Sequence, residues 1–364
     1  MKCVIGKEAL IAGLQMVQNV VASRTTLPIL GNALLVAENG RLTISTTDLD
    51  MGIRASIACE VVKPGTTTLP AKRFFSIIRE LPAVELTLEV NDENQATIRA
   101  ASSYFKILGL PSEDFPAFPK TEGARQFKMT QGTFRDMLRR TAYAISNDES
   151  RYVLNGVFLS FHDAKLTMVA TDGRRLALVE HEMEFAKGNE TDAILPTKAV
   201  NELQRILGQD EPLTISLSDN QIAFDLGETF LVSKLVEGKY PNYKQVIPPE
   251  AKDRVIIERE LLLNATRRVS LLSNDKTNSI RLSFSQNNLD IMSNTPEVGE
   301  AKESLPVNYK GKEFSIAFNP TYLQDPLRQI DADEIFFDFI DELSPGVIKY
   351  SKPFLYVIMP MRTA

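Results

Sequence analysis

Apolar residues spaced three and four apart recur in six short stretches of the chain, and between those stretches apolar and polar residues alternate singly. The first spacing buries one stripe of a helix and the second buries one face of a strand. In KEALIAGLQMVQNVV (7–21), Leu10, Leu14, Val17 and Val21 share a helical stripe. LTISTTDLDMGIRASI (42–57) then reads as two strands around a turn, and LPAKRFFSIIREL (69–81) returns to helical spacing. The same order follows in TQGTFRDMLRRTAYAI (130–145), LTMVATDGRRLALVE (166–180) and LPTKAVNELQRIL (195–207). It follows a third time in ERELLLNATRRVSLL (258–272), LDIMSNTPEVGEAKESL (289–305) and FNPTYLQDPLRQI (318–330).

A unit of roughly 125 residues is therefore repeated three times, each copy reading as helix, strands, helix, strands. Asp48 and Asp172 occupy one slot of the repeat, and Pro70, Pro196 and Asn319 another, just before the second helix. Proline-rich PSEDFPAFPK (111–120) and VIPPEAKDR (246–254) mark the joins and are too short to be flexible tethers. The predicted class is α+β, in three similar domains spanning residues 1–120, 121–249 and 250–364, with two helices packed on antiparallel sheets in each. Pro326 falls inside the last predicted helix, where it removes a hydrogen bond and is expected to cost about 3 kcal/mol unless the helix kinks.

Composition narrows the function. The chain is 43% hydrophobic and 24% charged, with no apolar run long enough to cross a membrane and no secretory leader, so a cytoplasmic protein without membrane contact is expected. Cys3 and Cys59 match no metal-binding or disulfide spacing, and His162 and His181 are the only histidines. Neither a metal nor a cofactor is expected. The formal charge of −6 argues against a surface basic all round, yet the charge is unevenly placed. The windows 7–21, 71–81, 131–142, 197–207, 259–272 and 320–330 carry 0, +2, +2, +1, +2 and 0, leaving −13 for the remainder. Paired arginines, Arg139-Arg140 and Arg267-Arg268, recur at matching points of their helices. Positive charge gathered on one recurring element suits a polyanion lying along the helices.

The turn VATDGRRLAL (169–178) packs Asp172, Gly173, Arg174 and Arg175 into what reads as an exposed cluster. Taken alone it is either a hairpin whose glycine supplies a positive φ or a binding wall. Asp48, Asp50 and Asp172 also leave open a phosphodiesterase or nucleotidyl transferase, and the repeats by themselves leave open a scaffold that binds no DNA. MPM (359–361) is either a polarizable binding surface or the end of a strand in the last core.

TLPILGN (26–32), RYVLNG (151–156), ATDGRRLA (170–177), SKLVEGKYPNY (233–243) and VIMPMR (357–362), in that order across three repeats, resemble the bacterial sliding clamp family, the β subunits of DNA polymerase III. The likeness covers the whole chain. It implies a DNA clamp fold closed as a ring of two chains around duplex DNA, with no catalytic residue. By the match, DNA contacts are expected from Arg24, Arg73, Tyr152 and Lys198, and from Arg139 and Arg267 mainly on charge.

A pocket for short partner peptides is implied at Leu154, Thr171, Gly173, Arg174, Arg175 and Leu176, with Pro241, Val246, Asn319 and Tyr322. Its last wall is Val357, Met359, Pro360, Met361 and Arg362. At the ring joint Phe105 and Ile107 are expected against Leu271 and Leu272, and Lys72 and Arg73 against Glu297, Glu300 and Glu303. The implied partners are a second copy, duplex DNA, the clamp loader, the replicative polymerase, other polymerases, mismatch repair proteins and ligase. Asp148 and Val153 depart from residues with which relatives contact DNA. Arg174, Gln245, Thr277 and Gly346 stand where relatives carry histidine, arginine, phenylalanine and serine.

Overall fold

All six helical stretches form helices in the computed structural model, which describes residues 1–21, 27–118, 124–249, 253–273, 278–296 and 298–362. Arg24, Thr277 and Glu297 lie outside the described residues. The helices are α1 (Lys7–Val17), α2 (Ala71–Glu80), α3 (Gln131–Arg139), α4 (Thr197–Ile206), α5 (Arg259–Val269) and α6 (Pro320–Gln329). Each buries the stripe that its spacing predicts: Leu10, Leu14 and Val17 in α1, Phe74 and Ile78 in α2, Leu262, Ala265 and Val269 in α5. The helical reading ran too long at three ends, because Gln18–Val20, Ala142–Ala144 and Ser270–Leu272 tighten into 3₁₀ turns.

Among the described residues the strands form four antiparallel sheets. A five-stranded sheet runs Glu60–Lys63, Lys2–Gly6, Glu85–Val90, Gln95–Ala100 and Ser103–Leu108. An eight-stranded sheet runs Arg125–Thr130, Pro212–Leu217, Gln221–Asp225, Thr229–Lys234, Met51–Ala58, Arg41–Thr47, Asn32–Glu38 and Gly65–Pro70. A second eight-stranded sheet runs Thr191–Pro196, Gly156–His162, Lys165–Thr171, Arg175–Glu182, Phe354–Ile358, Gly346–Lys349, Glu334–Phe339 and Asp253–Glu258. The fourth runs Gly299–Pro306, Asn288–Thr295, Ile280–Ser285 and Phe314–Phe318.

Both eight-stranded sheets are sewn across repeats. Thr229–Lys234 pairs with Met51–Ala58, with Val232 opposite Gly52, and Phe354–Ile358 pairs with Arg175–Glu182, with Val357 opposite Leu176. Contacts consequently gather into two compact units, Met1–Thr133 with Asn201–Leu235 and Phe134–Val200 with Val236–Ala364. The sequence repeat is three-fold, but the middle copy is divided between the units because its strands complete sheets begun by the other two.

Pro326 does not end α6. The helix continues to Gln329, Pro326 is buried on its core side, and its carbonyl accepts from the Ile330 N–H at 3.0 Å. The carbonyl that a proline at this position leaves without a helical donor is that of Tyr322, and the buried Tyr356 hydroxyl donates to it at 2.7 Å. A hydrogen bond from another strand thus replaces the one the sequence removes. Tyr356→Phe is expected to destabilise the unit by about 1–3 kcal/mol, since it orphans that carbonyl. A urea midpoint equal to that of wild type would contradict this role. Gly346 has an equally local reason: a Cβ there would lie 2.8 Å from the Phe337 ring.

Candidate functional site

The VATDGRRLAL turn is built by its own side chains. Asp172 Oδ1 accepts from the Arg174 and Arg175 N–H groups at 2.9 and 3.1 Å, and Thr171 Oγ1 donates to the Arg175 carbonyl at 2.6 Å. Gly173, at φ +86°, supplies the left-handed residue. The first repeat builds the same turn: Asp48 Oδ1 accepts from Asp50 and Met51 N–H groups at 3.1 and 2.8 Å, and Thr47 Oγ1 donates to the Met51 carbonyl at 2.9 Å. Leu49 takes the left-handed position there, at φ +78°. Of the three aspartates that had suggested catalysis, Asp48 and Asp172 are turn-makers occupied with backbone donors, and Asp50 pairs with Lys234 at 2.9 Å.

Arg174 and Gly173 are exposed, as expected. Arg175 is not: its side chain is only 10% exposed and lies under the turn rather than on a wall. Its guanidinium pairs with Asp172 at 3.0 Å and with Asp325 of α6 at 2.6 Å, donates to the Tyr143 carbonyl, and sits 4.3 Å from the centre of the Tyr322 ring. Burial opposes this charge, but the surrounding oxygens of Tyr356, Asp325 and Asp172 outweigh it and hold the pKa above the ordinary arginine value. Arg175 therefore locks a turn of the middle repeat to a helix of the last one.

The C-terminal segment runs beside this lock. Its strand stops at Ile358, so MPM is not the end of a core strand. The Met359 N–H donates to the Arg174 carbonyl at 2.9 Å and the Met361 N–H to the Ala317 carbonyl at 2.7 Å. Met359 remains 43% exposed, with Pro360 and Met361 half-buried and Arg362 exposed. Two residues past Ala317, Asn319 caps α6 by accepting from the Thr321 and Tyr322 N–H groups. Leu154, Leu176 and Val357 form the apolar floor with Val169, Ile194 and Tyr240, flanked by Val153, Val236, Tyr243 and Ile247.

Pro241 and Val246 lie exposed in the segment that supplies Tyr240 and Tyr243. Tyr240 stacks on Phe158 at 4.8 Å, and burial pushes its phenol pKa above the ordinary tyrosine range. Sequence reading missed Tyr240, Tyr243, Phe158, Asp325 and Tyr356. A signal existed for the first two: Tyr240-Pro241-Asn242-Tyr243 echoes Phe115-Pro116-Ala117-Phe118 of the first join. Asp325 and Tyr356 had none, because partners 150 and 34 residues away leave no local pattern.

Of the expected DNA contacts, Arg73 is exposed on α2, Arg139 on α3, Lys198 on α4 and Arg267 on α5, while Tyr152 is 57% exposed. The paired arginines divide the work. Arg140 donates to the Tyr350 hydroxyl at 2.7 Å and keeps its charge, while Arg268 forms a two-pronged pair with Glu303 and Arg139 lies 3.6 Å from Asp136, so part of the positive charge counted on the helices is offset locally. Asp148 accepts from Ser150 and Arg151 and is occupied in shaping the loop before Tyr152.

Of the expected joint residues, Lys72 and Arg73 are exposed on α2, and Leu271 is 79% exposed with Leu272 half-buried beside it. Phe105 is 39% exposed on an edge strand, flanked by exposed Tyr104 and Leu108 that the sequence reading had passed over. Ile107 is buried at 7% exposure within its own sheet. Glu300 is exposed on the edge strand Gly299–Pro306, whereas Glu303 is already held by Arg268.

The DNA polymerase III beta subunit family matches the chain in three parts, its N-terminal domain over residues 1–119, its central domain over 128–242 and its C-terminal domain over 244–362. The chain is 37% identical to the beta sliding clamp of Chlamydia muridarum over 362 residues, covering 100% of this chain and 99% of that one. It is 35% identical to the beta sliding clamp of Escherichia coli K12, with both chains fully covered. Its fold superposes on the crystal structure of the Pseudomonas aeruginosa clamp bound to griselimycin with a TM-score of 0.96, at 35% identity and full coverage of both. The chain therefore belongs to the DNA polymerase III beta subunit family, the beta sliding clamps, whose members are non-catalytic processivity subunits.

Proposed function

We propose that two copies of this chain close head to tail into a ring around duplex DNA, in the cytoplasm, and tether a DNA polymerase through the pocket beside the VATDGRRLAL turn. Domain limits of 1–120, 121–249 and 250–364 belong to the same reading. DNA is held by enclosure, with Arg73, Arg139, Tyr152, Lys198 and Arg267 making nonspecific, salt-sensitive contacts to phosphates. The clamp loader, the replicative polymerase, other polymerases, mismatch repair proteins and ligase use the pocket in turn.

One observation carries the peptide site: Met359, two residues past Val357 of the apolar cluster, and Met361 are pinned at their backbones to Arg174 and Ala317, while Met359 stays 43% exposed. A pinned backbone with free, polarizable side chains accommodates varied apolar residues without reordering the chain. Burying two apolar peptide side chains contributes about 1.5–3 kcal/mol each, opposed by ordering of the peptide, which gives an expected dissociation constant on the order of micromolar. Calorimetric titration tests it, using a peptide that carries glutamine followed by leucine or phenylalanine. Removal of residues 359–364 is expected to abolish binding and leave the dimer intact; unchanged affinity in the truncated dimer would overturn the pocket.

A further inference from the structure

The aromatic-proline-x-aromatic segment Phe115-Pro116-Ala117-Phe118 belongs to a second copy of the pocket architecture, in the first unit. Register equates the two sheets residue by residue. Phe158 opposite Val169, Val169 opposite Leu178 and Leu178 opposite Leu355 in one sheet correspond to Leu34, Ser45, Arg54 and Phe230 in the other. Phe115, like Tyr240, is buried, and Phe118, like Tyr243, is half-buried. Phe118 lies over the seam: a Cβ on Gly52 would meet its ring at 3.0 Å and Val232 at 3.4 Å.

The difference is in the floor. Where the second unit fills the space beneath its aromatic segment with Val169 and Leu178, the first unit has the smaller Ser45 and an exposed arginine, Arg54, that itself lines the opening. The Arg54 guanidinium stands 5.4 Å from the Phe118 ring centre and 5.2 Å from that of Phe230. What remains is an open groove of about 400 Å³, floored by the hydroxyls of Thr43, Ser45 and Ser56 and walled by Leu34, Val36 and Phe118. Carboxylates Glu38, Asp225 and Glu228 line its margin, and Arg41 engages only the last of them. Its size is that of a ligand site, and its polar groups converge on an apolar wall.

We propose that this groove is a second peptide-binding site, for a short extended segment of a partner protein that carries apolar side chains flanked by lysine or arginine. The apolar side chains lie between Leu34, Val36 and Phe118, the floor hydroxyls serve the peptide backbone, and the marginal carboxylates select the flanking cation. The inference rests on the peptide reading of the pocket beside the VATDGRRLAL turn, and the two can fail separately.

The test is methyl NMR on the full chain with labelled leucine and valine, titrated with acetyl-Lys-Leu-Phe-Lys-amide and with its Glu-Leu-Phe-Glu counterpart. Saturable shifts of the Leu34 and Val36 methyls are expected with the basic peptide, half-complete below about 1 mM, and at least about fivefold weaker with the acidic one. Thr43→Tyr, at a half-buried strand position in the floor, is expected to weaken binding at least about tenfold. It is expected to leave the glutamine-motif peptide bound at the turn pocket as in wild type. Removal of residues 359–364 is expected to do the reverse, so a peptide lost only on truncation belongs to the turn pocket and overturns this groove. Absence of saturable shifts at Leu34 and Val36, undiminished binding in Thr43→Tyr, or equal affinity for the acidic peptide overturns it as well. Shifts at these methyls that follow protein concentration without peptide place a second copy of the chain in the groove, and also overturn it.

Discussion

Arg175→Ala is expected to destabilise the second unit by about 3–5 kcal/mol, the range for removing one member of a buried ion pair. Asp172 and Asp325 are 15% and 17% exposed, and without the guanidinium two carboxylates are left close together with little water. The Tyr143 carbonyl loses a donor and the Tyr322 ring loses its stacked cation. The change also reaches the peptide site, because the turn held by Arg175 positions the Arg174 carbonyl that anchors Met359. Asp325→Asn in the same background is expected to recover part of the loss, since it removes one of the stranded charges. Chemical denaturation of wild type and the two variants measures this. A loss under about 1 kcal/mol would mean that the arginine behaves as a surface ion pair and the lock has no energetic content.

Leu271→Ala with Leu272→Ala is expected to convert the proposed ring into folded monomers. Leu271 is 79% exposed, so its truncation removes little from the core of its own unit. Exposed apolar side chains beside a sheet edge are where a partner gains its binding energy, at about 1.5–3 kcal/mol for each leucine fully buried. Loss of two such anchors raises the dissociation constant by roughly two to four orders of magnitude. The ion pairs around them contribute ~0–1 kcal/mol each, less still for Glu303 given its existing pair with Arg268. Sedimentation of the double variant decides the matter: a dimer persisting at nanomolar concentration places the joint elsewhere. Phe105 and the neighbouring Tyr104 and Leu108 are the surfaces expected to receive the leucines.

Much of the candidate pocket was legible because it is made of local features. An Asx turn is specified by Asp172, Gly173 and their immediate neighbours, and a capped helix start by Asn319 and the residues just after it. The Asx turn recurs in the first repeat, built there by Asp48, so two copies reinforced that reading. What stayed hidden was the fate of side chains whose partners are distant. Arg174 and Arg175 are alike in sequence, yet one is exposed and the other buried, because only Arg175 meets Asp325. Arg139 and Arg140 differ likewise, the first pairing with Asp136 one turn before it and the second with the distant Tyr350, and Arg268 finds Glu303 where the adjacent Arg267 stays exposed.

By itself, then, the sequence determined the helices, the strands, the three-fold repeat and the turns, since periodicity and glycine or aspartate chemistry act over a few residues. Tertiary structure alone decided which strands join across repeats, which of the adjacent Arg174 and Arg175 is buried, and how α6 accommodates Pro326. The reason is the same in each case. A hydrogen bond from Tyr356 to Tyr322, or an ion pair from Arg175 to Asp325, depends on chain segments brought together only when the sheets close, and no spacing along the chain encodes that distance.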